Sequence, residues 1–424
     1  MGHTPVEAGL ALSRKSASVF DLWAAKKLLK TLNQPRIRLE LWDGTTIPES
    51  SPKPVATIIY RDPAALYRSL WRPELYWGDL YAQGRIEVDG DLCKLLQLVY
   101  RSMRKNGAST ALDRLYDSVR YRKVFNTRDR AVDNIHHHYD IGNDFYRLWL
   151  DRAAMQYTCA YYADPDTELE DAQIAKMHHV CQKLQLKPGD TVVEAGCGWG
   201  GFALYMARHH GAKVKAYNIS REQIRYAREM AKAQNLEDHV EFVMGDYRNI
   251  HGRFDAFVSI GMLEHVGPHH YPVLGQIIRN SLKPGGRGLI HTIGRNRSQP
   301  INPWIERRIF PGAYPPTLRE MMDIFESGAM SVTDVENLRL HYAKTLDAWR
   351  QRFEQNTEQI ESMMDKRFVR TWRLYLAGSS AAFKAGQLQL FQVLFTDQDN
   401  NDLAWSREHM YNTCKPVHPA TPHA

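Results

Sequence analysis

The spacing of apolar residues in the first hundred positions predicts a small α+β domain. Residues 10–32 carry apolar side chains at helical intervals and predict an amphipathic helix. The segments "RIRLELWDGT", "VATIIYR" and "GRIEVDGD" predict three strands, the first and last with Asp-Gly turns. Before the third strand, "DPAALYRSL" predicts a helix that Asp62 caps and that has Pro63 in its first turn. A further helix runs to about Met103, so we place this domain at residues 1–105.

From Pro188 onward the apolar residues form continuous runs, which are typical of strands buried on both faces of a parallel sheet. The runs predict strands at "DTVVEAG", "AKVKAYNIS", "VEFVMGD", "FDAFVSIG", "RGLIHTIG" and "LQLFQVLF". The helices predicted between them cover 200–210, 220–235 and 270–282. A proline- and aromatic-rich insertion at 295–330 and helices at about 344–386 precede the last strand. This alternation predicts a doubly wound, mostly parallel α/β sheet, whose ligands bind beyond the carboxyl ends of the strands.

Basic charge is concentrated between the two domains. The 424-residue chain has 55 Lys and Arg against 48 Asp and Glu, a net charge of +7, yet residues 101–130 alone hold nine basic and three acidic side chains. This segment predicts either a solvated linker helix or a patch for phosphate groups on lipid or nucleic acid. Because no RNA-binding or zinc-finger motif accompanies it, nucleic acid is disfavoured as a partner. We place a basic linker at 106–135, a second domain at 136–411 and a disordered tail at 412–424.

The remaining composition predicts a cytoplasmic protein without a metal centre. No apolar run approaches the roughly 18 residues of a membrane span, and the N-terminus lacks a signal-peptide pattern. The five cysteines form no CxxC pair, which favours free thiols in a reducing compartment over disulfides or a zinc site. The adjacent side chains of His136, His137 and His138 cannot all face one ion, so they do not predict a metal site.

A glycine-rich turn, "VVEAGCGWGGF" at 192–202, leads from the first strand of the second domain into a helix. Gly196, Gly198 and Gly200 let the backbone approach a ligand where a Cβ would clash. A bare GxGxG pattern is shared with nicotinamide dehydrogenases, but two features favour S-adenosylmethionine. Glu194 lies just before the first glycine and suits an ammonium group or its water shell. The loop also does not match the GxGxxG pyrophosphate cradle cleanly.

The ends of the next two strands supply further candidate cofactor ligands. Asn218 stands where an acidic residue usually holds the ribose hydroxyls, and it can still hydrogen-bond ribose without charge assistance. Ser220 and Gln223 lie within reach of the same group. Asp246, after the third strand, can accept from an adenine amino group. The alternative is a structural turn that binds no ligand.

Beyond the fourth strand, "SIGMLEHVG" at 259–267 places Glu264 after a glycine break. This acid either opens a helix, where it suits the helix dipole, or faces a reaction site as a general base. His291, at the carboxyl end of the next strand, is placed to share that site, or is a hydrogen-bonded core histidine. Tyr342 has the corresponding alternative of a core tyrosine.

Eight longer motifs occur in order along the second domain: "HHYDIGNDFYRLWLD", "QYTCAYY", "EAGCGWGGF", "NISREQ", "SIGMLEHVG", "IHTIG", "NPWIERRIFPG" and "HYAKTLDAWRQRF". By these motifs the chain resembles the cyclopropane-fatty-acyl-phospholipid synthases and the related mycolic acid cyclopropane synthases. The similarity covers roughly residues 130–395. The additional N-terminal domain resembles the two-domain branch that acts on phospholipids.

The resemblance implies a seven-stranded class I methyltransferase sheet that binds S-adenosylmethionine and moves its methyl group onto a cis double bond of an acyl chain. It implies that side chains of Glu264, His291 and Tyr342 hold a bicarbonate, to which Cys159 and Ile293 contribute backbone groups. The Cys159 thiol itself is expected only to pack. A homodimer is a further expectation from the family. The cofactor contacts that it implies are Tyr157, Thr158, the 196–200 loop, Asn218, Ser220, Gln223, Asp246 and Tyr247.

Closing a cyclopropane ring in this way requires a site that excludes water, stabilises a carbocation and supplies a base of modest strength. On this interpretation Glu264 orients the bicarbonate, which takes the proton. The chain departs from the family at Ser379, where many members have a cysteine, but a cation mechanism needs no covalent nucleophile. The aromatic residues that are candidates for the walls are Tyr139, Phe145, Tyr146, Tyr161, Tyr162, Trp304, Phe310 and Tyr314.

We therefore expect a peripheral membrane enzyme that forms cyclopropane rings on unsaturated acyl chains of phospholipids. The N-terminal domain and the basic segment are its expected docking surfaces. Two alternatives keep the cofactor: methyl-branched or methylene acyl products, and methylation of a small molecule. A non-catalytic lipid-binding protein is disfavoured because no cofactor or anion position is missing. A dehydrogenase is disfavoured by the loop spacing and the missing ribose acid.

Overall fold

The computed structural model of the chain describes residues 16–32, 36–48, 53–105 and 141–411. The chain divides near residue 106 into two compact units. Predictions for 106–140 lie outside the described residues; among them are the basic linker, the three adjacent histidines and Tyr139. The same holds for predictions that fall on residues 1–15 and 412–424.

The N-terminal unit is built on a four-stranded sheet of order β2-β1-β3-β4, in which β1 and β3 are parallel and the other pairs antiparallel. Its apolar core joins the sheet to the helices through residues such as Leu28, Ile58 and Leu66. The three predicted strands form, whereas α3 and the two-residue β2 were not predicted. Its elements are α1 (Val19–Leu32), β1 (Ile37–Glu40), β2 (Thr46–Ile47), β3 (Ala56–Tyr60), α2 (Pro63–Trp71), α3 (Pro73–Ala82), β4 (Ile86–Gly90) and α4 (Leu92–Lys105).

Two helix starts in this unit follow from capping side chains. Asp62 accepts the Ala65 N–H at 3.0 Å with Pro63 as the first helical residue, which confirms the predicted start of α2. Helix α1 begins at Val19, so the predicted helical state of residues 16–18 is wrong. The Ser18 N–H donates to the Asp21 carboxylate at 2.8 Å, and the Asp21 N–H donates to Ser18 Oγ at 3.3 Å. This reciprocal cap fixes the N-terminal end of the helix, whereas the apolar periodicity alone would extend the helix further toward the N-terminus.

The second unit contains a seven-stranded sheet of order β10-β11-β9-β8-β5-β6-β7. Strands β5 to β9 run parallel, while β11 is antiparallel to β9 and β10 to β11. The predicted doubly wound, mostly parallel α/β fold is therefore confirmed. Its elements are α5 (Asn143–Arg147), α6 (Leu169–Lys183), β5 (Thr191–Ala195), α7 (Gly201–His210), β6 (Lys213–Asn218), α8 (Arg221–Ala233), β7 (Val240–Met244), β8 (Phe254–Ile260), α9 (Tyr271–Ser281), β9 (Leu282–Gly294), α10 (Pro303–Arg308), α11 (Leu318–Ser327), β10 (Met330–Asn337), α12 (Arg339–Gln355), α13 (Thr357–Met363), α14 (Lys366–Lys384) and β11 (Gln389–Asp397).

Both faces of this sheet are covered, as the continuous apolar runs predicted. Val192 packs in one buried cluster with Phe202 of α7, whereas its neighbour Val193 packs in the opposite cluster with Leu274 of α9. Successive strand residues point to opposite faces, so each apolar position in β5 has a core to enter. The carboxyl ends of β5, β6, β8 and β9 then share one edge of the sheet, where the candidate residues lie.

Strand β10 had no clear signal in the sequence. Its residues, "MSVTDVEN", alternate between partly buried and exposed rather than forming an apolar run. The strand pairs only with β11 and lies at the edge of the sheet, so it needs less apolar surface than a central strand.

The insertion at 295–330 also contains α11, which begins with a capping box between Thr317 and Glu320.

Candidate active site

The glycine loop after β5 holds its three glycines in the left-handed region, with φ of +85° at Gly196, +53° at Gly198 and +82° at Gly200. The Gly196 N–H donates to the Tyr217 carbonyl at 2.9 Å, which fastens the loop to the end of β6. A Cβ on Gly200 would lie 2.6 Å from a ring atom of Phe242, so this glycine is required by packing. A Cβ on Gly198 would have no atom within 4 Å. Gly198 therefore borders open space at the ligand-binding edge.

Glu194 lies buried directly beneath this loop, 2% exposed. Its Oε2 has no hydrogen-bond partner in the part of the chain that the structure describes. Burial raises the pKa of Glu194 to about 8, and the positive charge of Lys176 opposes that rise. The Lys176 ammonium itself is engaged elsewhere, by Gln156 and by Thr158 Oγ1 at 3.0 Å. Near neutral pH this buried carboxyl therefore holds a proton, and the positive charge of an ammonium group, such as that of S-adenosylmethionine, beside its open Oε2 would favour the ionised form.

Asn218, Ser220 and Gln223 come together at the end of β6, next to the loop. The Asn218 Nδ2 donates to the Gly198 carbonyl at 3.0 Å and to Gln223 Oε1 at 2.8 Å. Asn218 Oδ1 accepts the Ser220 N–H at 3.2 Å, and Ser220 Oγ caps α8 by accepting the Gln223 N–H at 3.3 Å. The Asn218 amide therefore ties the loop, through Gly198, to the first turn of α8, through Gln223, a task that sequence reasoning did not assign. Contact of these residues with ribose stays a prediction.

Asp246 and Tyr247 follow β7 on the same edge. Asp246 accepts the Arg248 backbone N–H at 2.8 Å and pairs with the Arg248 guanidinium at 3.1 Å. That guanidinium also lies over the Tyr247 ring, 4.8 Å from its centroid. The Tyr247 hydroxyl is buried, and burial raises its pKa to about 12 although the Arg248 guanidinium opposes the rise. Arg248 is thus a member of this corner that the sequence did not single out, and adenine contacts stay predictions.

Glu264 lies in a single 3-10 turn, Leu263–His265, just beyond β8. Its Oε1 accepts the Ile293 N–H from the end of β9 at 2.6 Å. Its Oε2 is buried and has no partner within the described ranges. Burial raises the pKa of this carboxyl to about 7. The Ile293 N–H therefore orients Glu264, while the predicted contact of Ile293 with bicarbonate stays untested.

His291 lies on β9 directly opposite Ile260 of β8 and is 1% exposed. Its Nδ1 faces the side-chain amide of Gln392 at 3.1 Å, and its Nε2 has no partner among the residues that the structure describes. Burial lowers the pKa of His291 well below its ordinary value, so the ring is neutral at pH 7. Glu264 and His291 thus each leave one buried polar atom open at the ends of neighbouring strands. His265 is a different case, because burial lowers its pKa to about 4 and its ring lies against Phe310.

The segment around Cys159 connects this edge of the sheet to α12. Thr158 lies close to Gly261. A Cβ on Gly261 would be 2.9 Å from the methyl group of Thr158. The Ala160 N–H donates to Thr345 Oγ1 at 3.0 Å, and the Cys159 thiol donates to the Ala160 carbonyl at 3.1 Å. Burial raises the pKa of the thiol, so it is unreactive, as expected for a packing side chain. Tyr342, in the first turn of α12, is buried with its ring 4.6 Å from that of Phe383.

An aromatic cluster surrounds Tyr157. Its hydroxyl hydrogen-bonds the Tyr375 hydroxyl at 2.8 Å, and its ring centroid lies 5.6 Å from Tyr146 and 5.3 Å from Trp349. Phe145 also belongs to the cluster, through Tyr146, and Phe310 joins it through Tyr375. Members that the sequence reading missed are Trp149, Trp349, Phe368, Trp372 and Tyr375. Phe368, Trp372 and Tyr375 follow one another at spacings of four and three residues, which places them on one face of a helix.

The other predicted wall residues have different surroundings. Tyr161 stacks between His179 and His341, at 4.3 and 5.1 Å. The remaining ones are Tyr162, whose ring is tilted against His341, Trp304, which is buried, and Tyr314, whose backbone N–H donates to the Glu264 carbonyl. Ser379 is half-buried on α14. Within the described residues, no three His, Cys, Asp or Glu side chains cluster as metal ligands. The four cysteines of that part of the chain are free thiols. None of its helices is long and apolar enough to cross a bilayer.

The parallel sheet, the glycine loop and the open carboxylate beneath it define a class I S-adenosylmethionine-dependent methyltransferase. A family model described as mycolic acid cyclopropane synthetase matches residues 126–393, and the chain belongs to that family. A second model, for a domain of unknown function, matches residues 24–109. The family predicted from the motifs is therefore confirmed, and the chain is a methyltransferase that uses S-adenosylmethionine.

Curated relatives match nearly the whole chain. A probable fatty acid methyltransferase of Pseudomonas putida is 35% identical over 90% of this chain and 98% of its own length. The cyclopropane-fatty-acyl-phospholipid synthase of Escherichia coli strain K12 is 36% identical over 86% of this chain and 93% of its own length.

Two solved structures each match 62% of the chain. The cyclopropane synthase MmaA2 from Mycobacterium tuberculosis is 26% identical, with a TM-score of 0.60 over 62% of this chain and 98% of that one. The mycolic acid cyclopropane synthase CmaA1, complexed with SAH and CTAB, is 28% identical with the same TM-score and coverage. The SAH in the CmaA1 complex supports the cofactor class inferred from Glu194 and the glycine loop.

Proposed function

We propose that this protein transfers the methyl group of S-adenosylmethionine to the cis double bond of unsaturated acyl chains in membrane phospholipids and closes a cyclopropane ring. The proposal rests on two buried atoms, Glu264 Oε2 and His291 Nε2, which lie at the ends of neighbouring strands. Neither atom has a hydrogen-bond partner among the described residues. Two such atoms can hold a base, and ring closure requires one because a proton must leave the new methyl group. The relative from Escherichia coli, which is named for this reaction, supports the same substrate.

Each part of the site has a task in this reaction. S-adenosylmethionine supplies an electrophilic methyl group when it is bound. Glu194 holds its ammonium group and the 196–200 loop lies against it, while Asn218, Asp246 and their neighbours bind the nucleoside. The aromatic cluster around Tyr157 keeps water from the carbocation and presents ring faces to its charge. As the second carbon–carbon bond closes, a proton must leave the new methyl group.

The atoms left open suit an anion that takes this proton. Bicarbonate would supply a base of modest strength there, held by Glu264, His291 and Tyr342 with backbone groups of Cys159 and Ile293. Because the pKa of Glu264 is raised to about 7, its carboxyl is available in the protonated form near neutral pH. A protonated Glu264 and a neutral His291 can both donate to the same anion. The competing possibility is that Glu264 is itself the base, and withdrawal of bicarbonate distinguishes the two.

A second candidate product keeps the same first step. The cation can lose a different proton and leave an acyl chain with a methyl branch on a retained double bond, or with a methylene branch. A tuberculostearic acid methyltransferase of Mycobacterium tuberculosis, 31% identical over 87% of this chain, favours keeping this alternative. Both routes add one CH2 to the acyl mass, so proton NMR of the cyclopropane hydrogens is needed to tell them apart.

The test uses the purified full chain with S-adenosylmethionine and vesicles of unsaturated phospholipid, in buffer with bicarbonate and in buffer depleted of carbon dioxide. We expect ring formation that falls when bicarbonate is withdrawn. Glu264→Gln should lose most turnover, whereas the matched control Cys159→Ala should keep it, because that thiol donates to the Ala160 carbonyl and only the backbone of Cys159 is expected to act in the reaction. Full activity without bicarbonate, lost in Glu264→Gln, would make Glu264 the base. No mass change on any lipid would refute the proposal.

We further propose that the enzyme reaches its substrate by docking the outward face of α1 on an anionic bilayer. Val19, Phe20 and Trp23 are 81%, 77% and 60% exposed, which is unusual for a water-facing helix. Lys27 and Lys30 continue the same face, and the Lys27 ammonium lies 4.9 Å from the centre of the Trp23 ring. Aromatic rings beside lysines fit the headgroup region of an anionic membrane.

Sedimentation with anionic and zwitterionic vesicles tests the docking face. The double variant Phe20→Ala/Trp23→Ala should bind anionic vesicles more weakly, while retaining cofactor binding. Trp405→Ala, which removes a fully exposed tryptophan from the other unit, is the matched control and should bind as the unaltered protein does. Equal binding of both variants would exclude this face. The homodimer remains a prediction, which a measurement of mass in solution would test.

A further inference from the structure

Three neighbouring strands place a row of polar residues behind the candidate anion site. Gln392 of β11 lies directly opposite Glu336 of β10 on one side and His291 of β9 on the other. Residues directly opposite one another in a sheet point to the same face. Lys183, the last residue of α6, reaches this row, and the side chains of Lys183, Gln392 and His291 are at most 1% exposed. Bulk solvent therefore does not reach these side chains, and they hydrogen-bond one another.

Lys183 determines which way the Gln392 amide is turned. Its Nζ donates to Gln392 Oε1 at 2.8 Å and to Glu336 Oε2 at 2.6 Å. A lysine ammonium can only donate hydrogen bonds, so the atom of Gln392 that faces it must be the oxygen. The amide nitrogen of Gln392 then faces His291 Nδ1, at 3.1 Å.

The amide nitrogen in turn determines the tautomer of His291. An NH2 group can only donate, so Nδ1 must accept and carries no proton. Burial lowers the pKa of His291, and the nearby charges of Lys176 and Lys183 lower it further, so the ring is neutral. Its one proton is then on Nε2, the atom that has no partner in the described part of the chain.

We propose that Lys183 and Gln392 are positioning residues that fix His291 as the Nε2–H tautomer and thereby make it a hydrogen-bond donor to the anion of the active site. The identity of that anion as bicarbonate rests on the proposed function. A neutral donor holds bicarbonate in place without the positive charge of an imidazolium, which would weaken bicarbonate as a base. The opposite tautomer would present a lone pair, which cannot donate to the charged oxygens of the anion and could only accept from the bicarbonate hydroxyl.

The tautomer can be measured in the free protein, without any turnover. We would label the full chain with 15N-histidine, identify the two ring nitrogens of His291 by their loss in His291→Asn, and read which nitrogen is protonated from its chemical shift. Gln392→Glu keeps the shape of the side chain but offers His291 a carboxylate, so the proton should move to Nδ1. Lys183→Met frees the amide to turn and should give a mixture. Gln389→Glu makes the same change on the same strand without contacting His291 and is the matched control.

Kinetics then link the tautomer to the anion. In Gln392→Glu the bicarbonate concentration for half-maximal activity should rise at least about tenfold, since a hydrogen bond to a charged acceptor contributes on that order. Its affinity for S-adenosylmethionine should stay unchanged. A proton on Nδ1 in the unaltered protein, or an unchanged spectrum in Gln392→Glu, would overturn the proposal. A moved proton with an unchanged bicarbonate requirement would overturn the role of His291 toward the anion. Activity of the unaltered protein that never depends on bicarbonate would remove bicarbonate from the proposed function and leave Glu264 as the base, while the spectra still decide the tautomer.

Discussion

Replacing Gly198 by alanine separates cofactor contact from loop folding. The φ of Gly198 is +53°, and a Cβ there would meet no protein atom within 4 Å. Gly285, near the start of β9 and thus toward the opposite edge of the sheet, has a φ of +75° and equally open surroundings. Alanine in the left-handed region costs about 1–2 kcal/mol. Gly198→Ala and Gly285→Ala should therefore destabilise the protein by similar amounts, which makes the second a matched control for the first.

The two variants should differ in cofactor affinity. If the loop backbone lies against S-adenosylmethionine, the methyl group of Gly198→Ala enters the space of the ligand and weakens binding at least about tenfold, or 1.4 kcal/mol. Gly285→Ala should bind the cofactor as the unaltered protein does. Calorimetric titration gives the affinities, and thermal unfolding gives the stability, at about 2–4 °C in Tm per kcal/mol for a unit of this size.

Gly200→Ala provides the contrast, because its Cβ would lie 2.6 Å from Phe242 and 2.8 Å from Ala227. We expect overpacking to add about 1–3 kcal/mol to the cost of the positive φ. This variant should therefore unfold well below the other two. Equal cofactor affinity in Gly198→Ala and Gly285→Ala would refute the assignment of Gly198 to the cofactor site.

Three further predictions concern Glu194, Ser379 and the effect of salt on activity. Burial raises the pKa of Glu194 to about 8 from an ordinary 4.5, so the folded protein holds this proton more tightly than the unfolded chain, and stability is lost as the pH rises between these values. Glu194→Gln should therefore raise the Tm above pH 8 while weakening binding of S-adenosylmethionine; a lower Tm there would contradict this. Ser379→Ala should keep near-normal turnover, and its complete loss in a folded variant would argue for a chemical role of this position. Activity on anionic vesicles should fall steeply between low and high salt, since ionic screening weakens docking, and a flat response would count against a charged docking surface.

The sequence alone determined the architecture of the second unit and its family. Apolar runs longer than one strand face, such as "TVVEA" in β5, require cores on both sides of a sheet, and this requirement is local enough to be recognised in one sequence. The glycine loop and Glu194 are likewise adjacent in the chain, so their association was visible before any folding. Helix starts at Asp62 and Ser220 follow from side chains that reach only three residues.

Strand β10 and the reciprocal cap at Ser18 were not predicted, because edge strands need little apolar surface and a single cap can override periodicity. The tertiary structure alone decided which polar atoms are open to a ligand. Asn218 and Asp246 looked unengaged in the sequence, yet the fold already ties Asn218 to the glycine loop and Asp246 to Arg248, which leaves only their remaining acceptor capacity for a nucleoside. The state of His291 depends on Gln392, 101 positions away, and on Lys183 in a different helix. Hydrogen-bond direction in a water-free interior is set by whichever donors the fold brings together, and no local pattern records them.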